Sequence, residues 1–224
     1  MTIWAIVPVK PFNRAKSRLA GELAPENREL LAESLLRRTL RLLQPLSVVQ
    51  GILVISRDTK ALAIARDLGA QTLQESGTPE LNSALYRATR ALRAWNAEGV
   101  LVVPADLPLL TAEDIEQMVK LGRYAGTVVV APDRHDHGTN LLLVRPPGII
   151  PYSFGTDSFA VHQRQAAEAG ATIHVYRSER AGLDLDTPDD LHHYYRLAGD
   201  LGEPLVDPAQ PHDWALEHEP HPGK

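Results

Sequence analysis

Residues 3–19 read IWAIVPVKPFNRAKSRL. The apolar run Ile3-Trp4-Ala5-Ile6-Val7 stops at Pro8, and Lys10, Arg14, Lys16 and Arg18 follow within nine residues. A run without polar alternation predicts a strand covered on both faces, as in a parallel sheet. Cations just past the carboxyl end of such a strand stand where open α/β sheets collect their ligands, and they suit an anion. A solvated basic loop fits the same residues. The choice between the two turns on three Asp residues, far along the chain, that should meet the loop at this edge.

Beyond this stretch, short apolar runs alternate with amphipathic segments. The runs predict strands at Ile3–Val7, Gly51–Ser56, Ala70–Leu73, Val100–Val103, Thr127–Ala131, Asn140–Val144 and Thr172–Tyr176. Helices are expected at Pro25–Leu43, Thr59–Leu68, Leu81–Trp95, Ala112–Gly122, Ser158–Ala169 and Pro188–Ala198. Pro25 suits a first helical position. Asp58 can cap the helix that Gly69 ends. Thr111 with Asp114 resembles a capping box, and Thr187, Pro188 and Asp190 mark a helix start.

The alternation predicts an α/β fold, three-layered and Rossmann-like, with a mostly parallel, mixed central sheet. Only PDRHDHGT separates Thr127–Ala131 from Asn140–Val144. That is too short for a helical crossover, so an antiparallel excursion is expected there. One domain is expected over 1–202. Residues 203–224 hold five Pro and few apolar side chains, which reads as an extended tail.

Composition sets bounds. The 224 residues are 44% hydrophobic, enough for a substantial core. A formal net charge of −5 argues against general nucleic-acid binding. The absence of Cys removes disulfides, thiolate nucleophiles and Cys-ligated zinc. No apolar stretch approaches the roughly 20 residues of a membrane span, and a cytoplasmic protein is expected.

Two acidic elements could carry chemistry. In Val100-Leu-Val-Val-Pro-Ala-Asp106-Leu-Pro108 a carboxylate follows a buried strand, stiffened by flanking prolines. Asp106 is read either as a metal ligand or as a turn or capping residue. In Leu183-Asp184-Leu185-Asp186, residues two apart face one side of an extended segment, so both carboxylates would face one point. Their repulsion calls for a cation or hydrogen-bond donors. Hard oxygen ligands suit Mg²⁺ or Mn²⁺. Asp186 could instead cap the helix that follows.

A third constellation joins His137-Gly138-Thr139-Asn140 to Phe154-Gly155-Thr156-Asp157-Ser158-Phe159. Gly155 permits close backbone approach, and Ser158 opens a helix, whose N–H groups favour anions. Turn chemistry alone also explains either motif. His135 and His137, flanking Asp136, raise zinc only weakly, since no further ligand stands out. A P-loop, a dinucleotide fingerprint and a Gly-x-Ser-x-Gly elbow are all missing.

As an ordered set, VPVKPFNRAKSRL, Leu81-Asn82, PADLPLL, GTN, FGTDSF and LDLDTPDDL resemble a known family over residues 3–198. It comprises the guanylyltransferases that act on phosphoenolpyruvate or 2-phospho-L-lactate in making a deazaflavin redox cofactor. These sit in the nucleotidyltransferase superfamily. The resemblance implies GTP and a small phosphorylated three-carbon acid as substrates, Mg²⁺ or Mn²⁺ as cofactor, and a possible hand-over of product to the next enzyme. It implies Asp106, Asp184 and Asp186 as metal-binding acids. Thr139, Gly155 and Ser158 would hold the acid, and Lys10, Lys16 and Arg18 the triphosphate. Asn82 would lie near the base. The wider superfamily carries a Gly-rich first loop, whereas residues 8–20 contain no Gly; the narrower family shares that lack. Bacterial members of the family tend toward phosphoenolpyruvate, and the Arg-rich composition, 18 Arg to 5 Lys, leans bacterial, so the resemblance implies that acid, with 2-phospho-L-lactate as the alternative.

Overall fold

The computed structural model describes residues 2–76 and 80–201. The 203–224 tail expected from sequence lies outside them. Among the described residues, seven strands form one sheet: β1 Ile3–Val9, β2 Gly51–Ser56, β3 Gln71–Gln74, β4 Gly99–Val102, β5 Thr127–Pro132, β6 Thr139–Arg145 and β7 Thr172–Val175. The helices are α1 Pro25–Leu43, α2 Thr59–Asp67, α3 Leu81–Ala94, α4 Ala112–Leu121, α5 Ser158–Glu168, α6 Glu179–Gly182 and α7 Pro188–Leu201. Two 3-10 turns, Phe12–Arg14 and Ser17–Leu19, shape the basic loop.

The strand order is β3-β2-β1-β4-β6-β5-β7. All neighbours are parallel except β6, which runs antiparallel to both β4 and β5. This is the expected mixed sheet with its antiparallel excursion.

The period of two explains why the central strands look uniformly apolar. On β1, Ile3, Ala5 and Val7 enter one core while Ile6 enters the other. On β4 and just past it, Leu101 and Val103 face the first core, Val100 and Val102 the second. β6 divides the same way, Leu141 and Leu143 against Leu142 and Val144. Helices α1, α2 and α4 cover the first face through Leu36, Leu40, Leu62, Ile64, Ile115 and Met118. α3 and α5 cover the second through Leu85, Ala88, Leu92, Phe159 and Ala166. Each of the Leu, Ile, Met and Phe side chains among these contributes roughly 1.5–3 kcal/mol relative to exposure.

A third, smaller core lies outside these two layers. Leu19 of the basic loop, Leu31 and Leu35 of α1, Leu109, Leu183 and Leu185, and Leu191 and Tyr194 of α7 pack together. Every segment expected to carry charged chemistry on this side contributes a leucine to it.

The antiparallel strand has a positional consequence. Because β6 pairs Leu142 with Val102, its first residues, Thr139 and Asn140, emerge at the carboxyl edge of β4. Asp106 follows β4 at that same edge.

Candidate active site

The capping geometry removes one alternative left open for the acids, that of helix cap. Thr111 and Asp114 form a reciprocal capping box on α4. At α7, Thr187 Oγ1 accepts from Asp190 N–H at 3.3 Å, and Asp190 Oδ2 accepts from Thr187 N–H at 2.7 Å. Neither helix needs Asp106 or Asp186 as its cap, so both carboxylates are released for other work.

Alternation along 183–186 holds as expected. Leu183 and Leu185 are buried in the small core, while Asp184 and Asp186 take the other side. The N–H of Leu185 donates to the Asp106 carbonyl at 3.0 Å, joining the two acidic segments through their backbones.

Lys16 stands between the carboxylates. Its Nζ lies 3.3 Å from Asp106 Oδ2 and 3.8 Å from Asp186 Oδ1. Its side chain is only 7% exposed. The residue adopts φ 53°, a left-handed conformation that costs a non-glycine residue free energy and often marks a functional position. Arg18 Nη1 reaches Asp186 Oδ2 at 3.2 Å from a largely exposed side chain. Lys10 is exposed and takes no part in these pairs.

Among the described residues, Asp184 receives no such cation. Burial, with the charges of Asp106, Asp190 and Asp186, pushes its carboxyl up to about 6. Excess negative charge thus remains after Lys16 and Arg18 are counted, and hard oxygen donors with excess charge fit a divalent cation. Among the described residues, however, no three acids or imidazoles stand at metal-binding spacing. The Lys16 ammonium occupies the space between two of them.

The loop itself is moored from two directions. Asp58 caps α2 as expected, accepting from Lys60 and Ala61 N–H, and its other oxygen accepts from Phe12 N–H at 2.8 Å. The Ser56 hydroxyl donates to the Val9 carbonyl at 2.8 Å.

Thr139, Gly155 and Ser158 belong to a neighbouring group. Phe159 N–H at the start of α5 donates to the His137 carbonyl at 3.1 Å, drawing FGTDSF beside the β5–β6 turn. That turn is organised by Asp133, whose carboxylate accepts from the N–H groups of His135, His137 and Gly138. Gly155 adopts φ 142°, a conformation that favours glycine. The N–H groups of Gly155, Thr156 and Asp157 donate to no acceptor among the described residues. Successive free N–H groups of this kind suit an anion. Ser158 N–H, by contrast, is already taken by the Gly155 carbonyl at 3.2 Å.

Asn82 sits at the start of α3, yet its carboxamide is committed. Its Nδ2 donates to the Phe154 carbonyl at 3.1 Å and its Oδ1 accepts from Phe154 N–H at 2.8 Å. The side chain expected near a base therefore fastens the FGTDSF segment. The weak zinc idea finds no support in the turn's contacts: His135 accepts from Arg134, and Asp136 pairs with Arg177.

Three residues support the site without a role assigned from sequence, Asn140 named only within its motif and Asp133 and His162 not singled out. Asn140, from GTN, is buried and donates to the Ala181 carbonyl at 3.0 Å, fixing α6 just ahead of Asp184. Asp133 holds its turn from within a run of polar residues. His162 is fully buried behind Thr139. The spacing of Ser158 and His162, one helical turn, was the available signal for the last.

Residues 3–199 match the family described as guanylyl transferase CofC like. The chain belongs to this family. A phosphoenolpyruvate guanylyltransferase from Rubrobacter xylanophilus is 39% identical over 191 residues, spanning 85% of this chain and 92% of that protein. A 2-phospho-L-lactate guanylyltransferase from Methanothermobacter thermautotrophicus is 36% identical, covering 85% and 84%. Among solved structures, a nucleotidyl transferase from Methanothermobacter aligns with TM-score 0.66 at 13% identity, over 89% of this chain and 97% of that one. That likeness establishes the nucleotidyltransferase fold for this chain. Among the described residues, no helix is long and apolar enough to cross a membrane.

Proposed function

We propose that this member of the guanylyl transferase family moves GMP from GTP to the phosphate of phosphoenolpyruvate, releasing pyrophosphate. The observation that carries the reading is the Lys16–Asp106–Asp186 cluster, set at one sheet edge with the Thr139–Ser158 group. Such a site handles two polyanions together. The relatives named for phosphoenolpyruvate favour that acid over 2-phospho-L-lactate.

In this reading an oxygen of the acceptor phosphate attacks the α-phosphorus of GTP. A new P–O–P bond forms, the bond to the β-bridging oxygen breaks, and pyrophosphate leaves with the electron pair. The acceptor is already ionised at neutral pH, so the step needs no strong general base. The obstacle is repulsion. Like charges about 4 Å apart cost roughly 4 kcal/mol per pair at an effective dielectric near 20. Lys16, Arg18 and the exposed Lys10 would offset the triphosphate charge. Asp106, Asp184 and Asp186 would hold Mg²⁺ or Mn²⁺, which when bound neutralises phosphate oxygens. Lys16 would then turn from the carboxylates to the phosphates. Thr139, the free N–H groups of 155–157 and Ser158 would orient the acid for in-line attack.

The test is pyrophosphate release with GTP and Mg²⁺, comparing phosphoenolpyruvate, 2-phospho-L-lactate and 3-phosphoglycerate. Release with phosphoenolpyruvate above the other two supports the assignment. Preference for either of the others reassigns the acceptor.

A further inference from the structure

His162 lies on the inner face of α5, wholly buried, and both ring nitrogens are engaged. Nε2 is 3.1 Å from the backbone nitrogen of Ser153, and Nδ1 is 3.0 Å from Thr139 Oγ1. The Phe154 ring stands edge-on to the imidazole, with centroids 5.1 Å apart.

These contacts fix the tautomer. A backbone N–H can only donate, so Nε2 must offer a lone pair to Ser153. A neutral imidazole has one acceptor nitrogen, and Nδ1 therefore carries the proton. Nδ1–H then donates to Thr139 Oγ1. Burial favours the neutral ring, holding its proton affinity down to about 4. With one lone pair of Oγ1 occupied, the Thr139 hydroxyl proton has no other acceptor among the described residues. It is left to donate to a ligand.

We propose that His162 is a positioning residue of the acid subsite: it fixes Thr139 as a hydrogen-bond donor to the acid and holds the Ser153 end of the FGTDSF segment in register. The inference rests on the proposed role of Thr139 in holding the acid. No proton moves in this arrangement, and His162 acts only through its two partners.

The experiment pairs two conservative variants with a double-mutant cycle. In His162→Gln the amide can occupy the place of Nε2 and accept from Ser153, but the Nδ1 donor is lost. In His162→Asn the amide nitrogen can take the place of Nδ1 and keep Thr139 oriented. His162→Gln should raise KM for phosphoenolpyruvate about tenfold, the effect of one hydrogen bond, and leave KM for GTP within about twofold. His162→Asn should raise it less. In a Thr139→Val background, His162→Gln should add less than about twofold, because its effect runs through the missing hydroxyl. Nitrogen-15 NMR of the wild-type imidazole should show the proton on Nδ1, a readout independent of any variant's folding. An Nε2–H tautomer, equal shifts in both KM values, or full additivity with Thr139→Val would overturn the proposal. If Thr139→Val itself leaves KM for the acid unchanged, the acid subsite reading fails and takes the proposal with it. An effect of Thr139→Val with none from His162→Gln overturns the positioning role alone.

Discussion

The ammonium of Lys16 sits 3.3 Å from Asp106 Oδ2, on a backbone turned to φ 53°. A cation held there would compete with any metal ion for the same carboxylates. Lys16→Met should therefore bind Mn²⁺ more tightly than the wild type in the absence of nucleotide, as read by calorimetry. The same variant should lose at least about a hundredfold in kcat, the usual scale for removing one group that stabilises developing charge. Unchanged Mn²⁺ affinity would show that Lys16 and the metal do not share a site.

Asp184 predicts an exchange of stability for function. Its carboxyl is held near 6 in the folded chain, against an ordinary 3.8. The folded state thus binds the proton more tightly than the unfolded state. Ionised Asp184 costs stability at neutral pH, and the cost is relieved as pH falls through about 6 towards 3.8. At roughly 1.4 kcal/mol per unit, the full effect is about 3 kcal/mol. Asp184→Asn should raise the metal-free Tm at pH 7.5, leave it little changed near pH 3.5, and abolish turnover. A lower Tm at pH 7.5 would contradict the burial argument.

His162 works in the opposite sense. Its folded value near 4 lies below the ordinary 6.5. It therefore contributes stability that is complete above 6.5 and lost as pH falls through the window to 4, again about 3 kcal/mol in all. In the wild type the two groups offset one another between pH 4 and 6. Denaturant titrations of Asp184→Asn across that range should show a steeper acid loss than the wild type. Parallel profiles would refute the opposition.

The small core behind the acids can be tested through Leu185, which is fully buried between Asp184 and Asp186. Leu185→Ala should cost about 2–5 kcal/mol by denaturant unfolding. It should also lower kcat in the surviving folded protein, because the side chain anchors both carboxylates. A stability loss with normal kcat would show that the acids hold their places without it.

The proposed place of Ser158 in the acid subsite can be tested against the nucleotide. Ser158→Ala should raise KM for phosphoenolpyruvate severalfold and hardly affect GTP. An effect confined to GTP would mean that the pockets are exchanged.

The scaffold was largely legible because its signals are periodic. α1 and β2 span the residues expected, and the other predicted strands and helices shift at their ends by one to three residues. The four-residue α6 carries too short a pattern to register. The Asp184–Asp186 alternation was readable for the same reason as the strands. The position of Lys16 was not, since it depends on a left-handed turn and on partners 90 and 170 residues away in sequence. Asn82 was noticed, but its bonds to Phe154, 72 residues distant, exist only in the folded chain. His162 was one of nine scattered histidines; among the described residues it is the buried one, and only its one-turn spacing from Ser158 hinted at this in the sequence.

The most direct test of the central claim is phosphorus-31 NMR of a reaction containing the protein, GTP, Mg²⁺ and phosphoenolpyruvate. The account predicts a pair of mutually coupled doublets from a new P–O–P linkage between GMP and the acid, growing in step with pyrophosphate. Pyrophosphate released at the same rate without the acid, or GMP appearing in place of the coupled pair, would contradict it.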